Sequence, residues 1–506
     1  MSLLRASGKM AIATLISRVL GLLRELLLAK YLGASWMGDA FWVAYRIPNL
    51  LRDLLAEGAF SSAFIPTFSK SYHQEGIEKG RLVLWSSFLS LFALCLIICS
   101  LIFIFAPFLT SFLAPSFVGH ENTELFPLTV SLLRVMCWFL LVISLSALAM
   151  GALNTLKIFF YPSLSPAVFN CVMIMSLFLL WEKMGALAAA WGVFWGGVAQ
   201  LFMQLPLLWK KLPPLFTKKI ILPETKSVLQ RLGIGVWGSA ATQINHLVST
   251  ILATGTGIGA VSWLAYSFRL FQFPVGIIGV SVSNSHLIYF SEHLKKGEIE
   301  KSKKIFIQGV FLLCSILLPL TLLSFLGAND LVTLVYERGK FTSQDTLKTA
   351  QALRFYLLGL PFYGLYKLLT PCFYALDLPK TPVVVTFVGV CLNILLSFLF
   401  VPIFGFSFLA LSASITIFVN VALLLWYFQK KICFNFQDVE FYSWGRWIFA
   451  LSLCFIFGFL PYIFFSQQNY LFSLVRICLS FFLGFLPYFL LMGGKKFFSG
   501  QYFPKS

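Results

Sequence analysis

The chain has 506 residues, of which 59% are hydrophobic and only 11% charged. A soluble globular chain carries about a quarter of its residues as charged types, so this one lacks the polar material to cover a water-facing surface and reads as an integral membrane protein. The excess of 38 Lys+Arg over 19 Asp+Glu sits mainly in alternate short loops between apolar runs, which makes it a positive-inside pattern rather than a nucleic-acid footprint.

A spanning helix needs about 20 apolar residues. Runs that meet this lie near 11–32, 38–66, 83–112, 126–152, 161–180, 185–209, 228–253, 258–284, 304–327, 349–375, 382–401, 405–429, 443–465 and 470–492. They are continuous rather than alternating, which favours a helical bundle over a barrel. The first run carries its own charges and no Ala-rich cleavage pattern, so a cleaved signal is not expected. Arg5 and Lys9 precede the first run, and Lys70, Lys79 and Arg81 follow the second. Lys210 and Lys211 follow the sixth, Lys295 and Lys296 the eighth, Lys430 and Lys431 the twelfth, and Lys495 and Lys496 the last. The stretch 328–348 is the exception, where Arg338, Lys340 and Lys348 face Asp330, Glu337 and Asp345; the alternation elsewhere is expected to place both termini in the cytoplasm.

The expected fold is all-α and polytopic, with about fourteen transmembrane helices. The basic, proline-broken stretch 211–227 is the clearest linker. It divides an N-terminal lobe of six spans (1–210) from a second six (228–430), and a final pair occupies 443–492. The two sixes share a weak echo: "WVAYR" at 42–46 with Pro48 after it, and "WLAYS" at 263–267 with Pro274 after it. Paired repeats of this kind are common in secondary transporters. Cysteines such as Cys95, Cys99, Cys137, Cys171, Cys314 and Cys391 lie in apolar runs without CxxC spacing, so disulfides and structural zinc are not expected.

Charge inside the first two runs is the main functional signal, because a charge at the centre of a spanning helix costs about 2.5–3.5 kcal/mol on insertion scales. Arg18 and Glu25 are seven apart and share a helix face, whereas Arg24 points about 100° away. Glu25 is expected to partner one arginine and leave another for a ligand. In the second run Asp39 and Arg46 are also seven apart, Asn49 and Arg52 three apart, and Asp53 and Glu57 four apart. Two readings stand: a polar cavity that receives a substrate, or structural ion pairing alone. Arg269, in "VSWLAYSFRLFQFPVG", joins Arg18, Arg24, Arg46 and Arg52 in an excess of fixed positive charge. Such a set prefers an anion, and guanidinium forks suit phosphates. His246 and His286 read as buried neutral histidines. "GTGIGA" at 255–260 reads as a tight turn between two spans. No phosphate-binding P-loop, dinucleotide fingerprint, HExxH or GxSxG occurs, so transport of an anionic substrate fits better than catalysis.

"SRVLGLLRE", "GDAF" and "YRIPNLLRDLLAEGAFSSAFIP" at the start resemble the MurJ (MviN) family of bacterial lipid II flippases. So do "VSWLAYSFRLFQFPVGIIGVSV", "VYERGKFT" and "FYALDLPKTPV" further along. The resemblance implies the fold of the multidrug/oligosaccharidyl-lipid/polysaccharide exporters: twelve helices in two lobes around a central cavity, and a last pair forming a groove for the lipid tail. It implies a transporter, not an enzyme, that moves lipid II from the inner to the outer leaflet of the bacterial inner membrane by alternating access. By motif match, Arg18, Arg24, Arg52 and Arg269 would bind the pyrophosphate. Asp39, Asn49, Glu57 and Ser61 match other cavity or gate positions, beside Glu25 and Arg46 from the charge pattern. One local difference is Phe268, where the family often carries an acid. No cofactor or metal is expected. With no ATP site, membrane potential, an ion gradient or consumption of product outside would drive the cycle, with Asp39, Glu57 and the Asn/Thr-rich patches as ion-site candidates. The implied partners are lipid II, membrane lipids and cell-wall synthesis proteins, and no nucleic acid. Two other readings are an exporter of another polyprenyl-linked glycan or a drug, and a non-transporting scaffold for envelope synthesis. An enzyme acting on prenyl pyrophosphates would need an acidic metal-binding cluster, and the sequence offers none.

Overall fold

The computed structural model of the chain describes residues 3–54, 60–215, 222–432, 444–465 and 470–492. Every regular element among them is helical. Among the described residues, ten stretches are long and apolar enough to cross a membrane: Ile77–Ile104, Leu125–Thr155, Phe160–Met184, Ala186–Lys211, Ala260–Lys295, Ile299–Leu326, Lys380–Phe404, Ser407–Lys431, Trp447–Phe464 and Tyr470–Leu491. The expected spans near 11–32, 38–66, 228–253 and 349–375 are not among these ten. The first two carry the charges noted above. The architecture is therefore an all-α, multi-pass membrane protein.

The chain divides into two compact units, one of Met1–Ser262 with Arg338–Phe341, the other of Trp263–Glu337 with Thr342–Ser506. The first unit holds α1 (Leu3–Leu32), α2 (Trp36–Arg52), α3 (Phe60–His73), α4 (Ile77–Ile104) and α5 (Ala106–Leu113). It continues with α6 (Leu125–Met136), α7 (Phe139–Thr155), α8 (Phe160–Met184), α9 (Ala186–Lys211) and α10 (Pro223–Thr254). Within it α8 packs along both α1 and α9, and α7 along α9. Lipid offers no hydrophobic drive for helix pairing, so close approach through small residues does the work. Gly196 and Gly197 on α9 show it: a Cβ at Gly196 would lie 2.8 Å from the Phe169 ring, and one at Gly197 2.7 Å from Phe139 and Val142. A second cluster joins Phe64, Phe68, Leu84, Trp85, Leu148 and Leu208. Its indole is fixed by a 3.0 Å hydrogen bond from Trp85 Nε1 to the Leu212 carbonyl.

α11 (Ala260–Pro274) begins in the first unit and leads into the second. There it continues as a π-helical turn, Val275–Gly279, and α12 (Val280–Lys295). A proline at the end of α11 followed by a wider turn is a recognised cause of a local break in a long helix. The second unit adds α13 (Ile299–Leu326), α14 (Ala328–Tyr336), α15 (Ser343–Leu358), α16 (Leu360–Ala375), α17 (Lys380–Phe404) and α18 (Ser407–Ile432). It ends with α19 (Trp444–Phe464) and α20 (Tyr470–Leu491). Thr342 and Asp345 form a capping box at the start of α15, filling orphan amide donors reciprocally. Phe290, Phe306 and Phe373 surround Phe428 in the core. The final pair α19–α20 packs on α13, where Gly458 and Gly484 face Leu323. A buried ion pair ties the same pair to α14. Arg476 donates through Nε to Asp330 Oδ2 at 3.0 Å and through Nη2 to Oδ1 at 2.5 Å, and Ser473 Oγ donates to Oδ1 at 2.7 Å.

Both units present large apolar side chains outward, among them Ile97, Phe108 and Leu179 in the first and Phe398, Ile403 and Leu490 in the second. Patches of this extent are foreign to soluble monomers and belong against lipid. The described cysteines are free thiols.

Candidate functional site

The N-terminal charges are held by a set of specific polar contacts inside the first unit. Arg24, part-way along α1, donates through Nη2 to Glu25 Oε1 at 2.5 Å and through Nη1 to Asn170 Oδ1 on α8 at 2.9 Å. The Phe169 ring lies 5.7 Å from its guanidinium carbon. Asn170 is itself fixed, donating through Nδ2 to the Ser17 carbonyl at 3.1 Å. Glu25 is buried and Arg24 half-buried, so the pair forms a short, partly desolvated ion pair in which one acceptor comes from a neighbouring helix. Arg24 Nε is buried with no acceptor among the described residues. Glu25 thus partners its chain neighbour, although the two side chains leave the helix about 100° apart; long arginine and glutamate stems close that gap. Arg18, one and a half turns earlier, is exposed.

Asp39 sits at the start of α2 and is almost fully buried. Its carboxylate accepts from the Gly259 amide at 2.5 Å, the Ser262 amide at 2.8 Å and the Ser262 hydroxyl at 2.7 Å. It therefore fills the orphan donors at the N-terminus of α11, where negative charge is also favoured by the helix dipole. The glycine-rich segment before α11 is a turn: Gly257 and Gly259 have φ of +128° and +92°, conformations open to glycine. Arg46 on α2 donates through Nε to Thr250 Oγ1 on α10 at 2.7 Å, and Thr250 donates in turn to the His246 carbonyl. Arg52, at the end of α2, meets its neighbour Asp53 at 2.9 Å. Asn49 is half-buried on α2. Glu57 lies outside the described residues, and Ser61 falls on α3 with its side chain outside the description.

Arg269 is half-buried on α11 within the second unit. Phe268 beside it packs against Phe271 at 5.9 Å and Tyr356 at 5.4 Å between ring centroids. Phe268, the local difference noted in the sequence, is thus part of an aromatic cluster. Within the first unit, then, the structure joins Arg24 with Glu25, Arg46 with α10, and Asp39 with the start of α11. Asn170, Thr250 and Ser262 complete these contacts and were absent from the sequence-derived set. Asn170 carried one legible signal, an amide within the apolar run of α8.

On the basic face, Lys79 of α4 meets Glu224 at the start of α10 at 2.7 Å. Burial works to raise the Glu224 carboxyl, but the hydrogen bond from Lys79, the backbone bond and the lysine charge outweigh it and hold the group below its ordinary range. No group of three or more His, Cys, Asp or Glu among the described residues is placed to hold a metal ion.

Chemically, the first unit offers guanidinium groups in an apolar helix bundle: Arg24 oriented by an acid and an amide, Arg52 by an acid and Arg46 by a hydroxyl. This suits recognition of an anion. Comparison with known proteins agrees. The sequence model of the family described as "Lipid II flippase MurJ" matches residues 28–494. A "Probable lipid II flippase MurJ" from Buchnera aphidicola subsp. Schizaphis graminum is 32% identical over 502 residues, covering 94% of this chain and 95% of the relative. A "Lipid II flippase MurJ" from Burkholderia cenocepacia is 34% identical, covering 85% of this chain and 84% of the relative. Among solved structures, a lipid II flippase MurJ in an inward closed conformation superposes with a TM-score of 0.79 at 27% identity, over 97% of this chain and 99% of that one. An inward-facing MATE multidrug transporter of the MOP superfamily shares the fold, with a TM-score of 0.70 at 14% identity over 81% of this chain and 94% of that one. A family match over nearly the whole chain, together with relatives above 30% identity along most of their length, establishes that this chain belongs to the lipid II flippase MurJ family.

Proposed function

We propose that this chain carries lipid II from the cytoplasmic to the outer leaflet of the bacterial inner membrane by alternating access, as a transporter without catalytic chemistry. The observation that carries the reading is Arg24, a guanidinium held by Glu25 and Asn170 inside an apolar bundle, in a chain of the MurJ family. A charge placed there at a cost of about 2.5–3.5 kcal/mol needs a function beyond packing, and a pyrophosphate is its natural counterpart.

The finer assignments belong to the same proposal and rest on motif match and charge pattern. Arg18, Arg24, Arg52 and Arg269 serve as pyrophosphate contacts. Glu25, Asp39, Arg46, Asn49, Glu57 and Ser61 set the polar environment or act in gating. The architecture is fourteen spans, with an N-terminal lobe to residue 210, a basic cytoplasmic linker at 211–227, a second lobe at 228–430 and a tail-binding pair at 443–492. Both termini are cytoplasmic, in line with the lysine distribution. Cell-wall synthesis proteins are proposed as partners. Membrane potential supplies about 2.3 kcal/mol per charge per 100 mV, which is adequate drive for a charged headgroup without nucleotide.

The test is transfer of labelled lipid II between leaflets of sealed vesicles containing the purified chain. Protein-dependent transfer that Arg24→Ala weakens supports the reading. Full-rate transfer by folded Arg24→Ala removes Arg24 from substrate handling.

A further inference from the structure

α1 starts beside Arg5 and Lys9, and α8 starts just after Lys157. Both helices run away from that basic face, and their last turns meet at the opposite one. There Tyr31 and Trp181 pack with ring centroids 5.0 Å apart. The segment Arg338–Phe341, grouped with the first unit, joins them through a hydrogen bond from the Lys340 amide to the Lys30 carbonyl at 2.9 Å. The approach requires glycine: Gly33 has φ +65°, and a Cβ there would lie 2.6 Å from the Lys340 carbonyl oxygen.

The result is two ammonium groups on one aromatic platform. Lys30 Nζ lies 5.5 Å from the Tyr31 ring centroid and Lys340 Nζ 5.1 Å from that of Trp181. Both side chains are exposed. Lys340 Nζ has one further contact, the soft Met37 Sδ at 3.7 Å. Among the described residues no carboxylate lies within ion-pair distance of either lysine. An aromatic face attracts an ammonium but accepts few of its three N–H donors. Two ammonium groups on one platform, neither ion-paired among the described residues although the exposed Glu182 follows Trp181 in the chain, favour an anion. The positive-inside rule usually depletes lysine from the face opposite the basic loops, and the stretch 328–348 that supplies Lys340 departs from it, with Arg338 and Lys348 also present. One turn back along α8, Phe178 and Leu179 are 57% and 68% exposed, and Phe178 meets Tyr31 edge-on at 6.3 Å. Cationic heads, a Tyr–Trp belt and a greasy strip beneath them have the layered chemistry of a lipid, not of a soluble anion.

We propose that Lys30 and Lys340, on the Tyr31–Trp181 platform, bind the phosphate headgroup of an anionic membrane lipid in the leaflet remote from the basic loops, with its acyl chain along Phe178 and Leu179. The site lies apart from the Arg24 cluster and does not depend on lipid II transport.

The test uses the purified full-length chain in detergent, titrated with phosphatidylglycerol or phosphatidylcholine and read by native mass spectrometry. The double variant Lys30→Gln, Lys340→Gln is expected to bind phosphatidylglycerol about thirtyfold more weakly, the scale of two lysines at an anionic surface, with phosphatidylcholine unchanged. Lys30→Arg, Lys340→Arg should retain binding. Raising salt from about 50 mM to about 300 mM should weaken phosphatidylglycerol binding to the unsubstituted chain, a readout independent of any variant's folding. Equal binding by the glutamine variant, or no salt effect, overturns the site. Displacement by inorganic phosphate at matched concentration overturns the lipid assignment in favour of a soluble anion.

Discussion

Asn170→Ala separates a positioned arginine from a merely charged one. The substitution removes the 2.9 Å acceptor of Arg24 Nη1 and the 3.1 Å donor to the Ser17 carbonyl. A hydrogen bond to a charged group contributes about 1.5–3 kcal/mol and a neutral one about 1 kcal/mol. Glu25 stays in place and keeps the charge compensated, so the guanidinium loses its lateral anchor rather than its counter-ion. If Arg24 presents its fork to a pyrophosphate, the lost anchoring falls on binding. At about 1.4 kcal/mol per factor of ten, half-saturation for lipid II should rise about tenfold to a hundredfold. Asn170→Asp is a sharper variant: it keeps an acceptor but adds a second carboxylate, which competes with the substrate for the arginine, so its effect should exceed that of alanine. The assay is leaflet transfer at several lipid II densities, normalised to folded protein. A purely structural role would lower the amount of folded protein and leave half-saturation alone. Unchanged half-saturation in Asn170→Ala would refute the positioning role.

Asp39→Ala strips the acceptor from two backbone amides and a hydroxyl at the start of α11, and should lower stability by about 3–5 kcal/mol; Asp39→Asn should lose less than half of that in a denaturant titration in micelles, and equal losses would contradict the capping role. Arg476→Met leaves Asp330 buried without its bidentate partner and should cost about 3–5 kcal/mol, whereas joint replacement of both by apolar residues should recover most of it; no recovery in the double variant would show that the pair contributes more than charge balance. Glu224 has its carboxyl held below the ordinary range by Lys79, so its contribution is present at neutral pH and is lost as pH falls through its depressed value. Acid-induced loosening of α10 from α4, followed by amide exchange, should therefore be largely absent in Lys79→Met, which has no ion pair to lose as pH falls, and identical profiles in the two chains would count against the pairing.

The membrane class was legible from composition, because apolar runs without charge admit few other readings. The charged exceptions were legible too, as residues too costly to be incidental. Their partners were not. Glu25 and Arg24 are chain neighbours that a helical wheel sets apart, and only side-chain length brings them together. Asn170 is separated from Arg24 by 146 positions, a contact that no local pattern encodes. Asp39 carried a carboxylate's usual ambiguity: its spacing to Arg46 suggested one face, while its acceptors serve backbone amides 220 and 223 positions away. The run near 126–152 comprises two helices, α6 and α7, and that near 349–375 breaks at Gly359 between α15 and α16. In both places hydropathy continues across the break and so conceals it. Phe268 was visible as a difference, and its packing on Phe271 and Tyr356 supplies the physical account of what stands there.

The most direct test reconstitutes the purified chain in sealed liposomes loaded with labelled lipid II and follows headgroup exposure with an impermeant probe, with and without a membrane potential. The account predicts a protein-dependent signal, raised by the potential and lost in Arg24→Ala and Arg269→Ala variants that remain folded. A folded chain that gives no signal at either potential, or arginine variants that transfer lipid II at full rate, would contradict it.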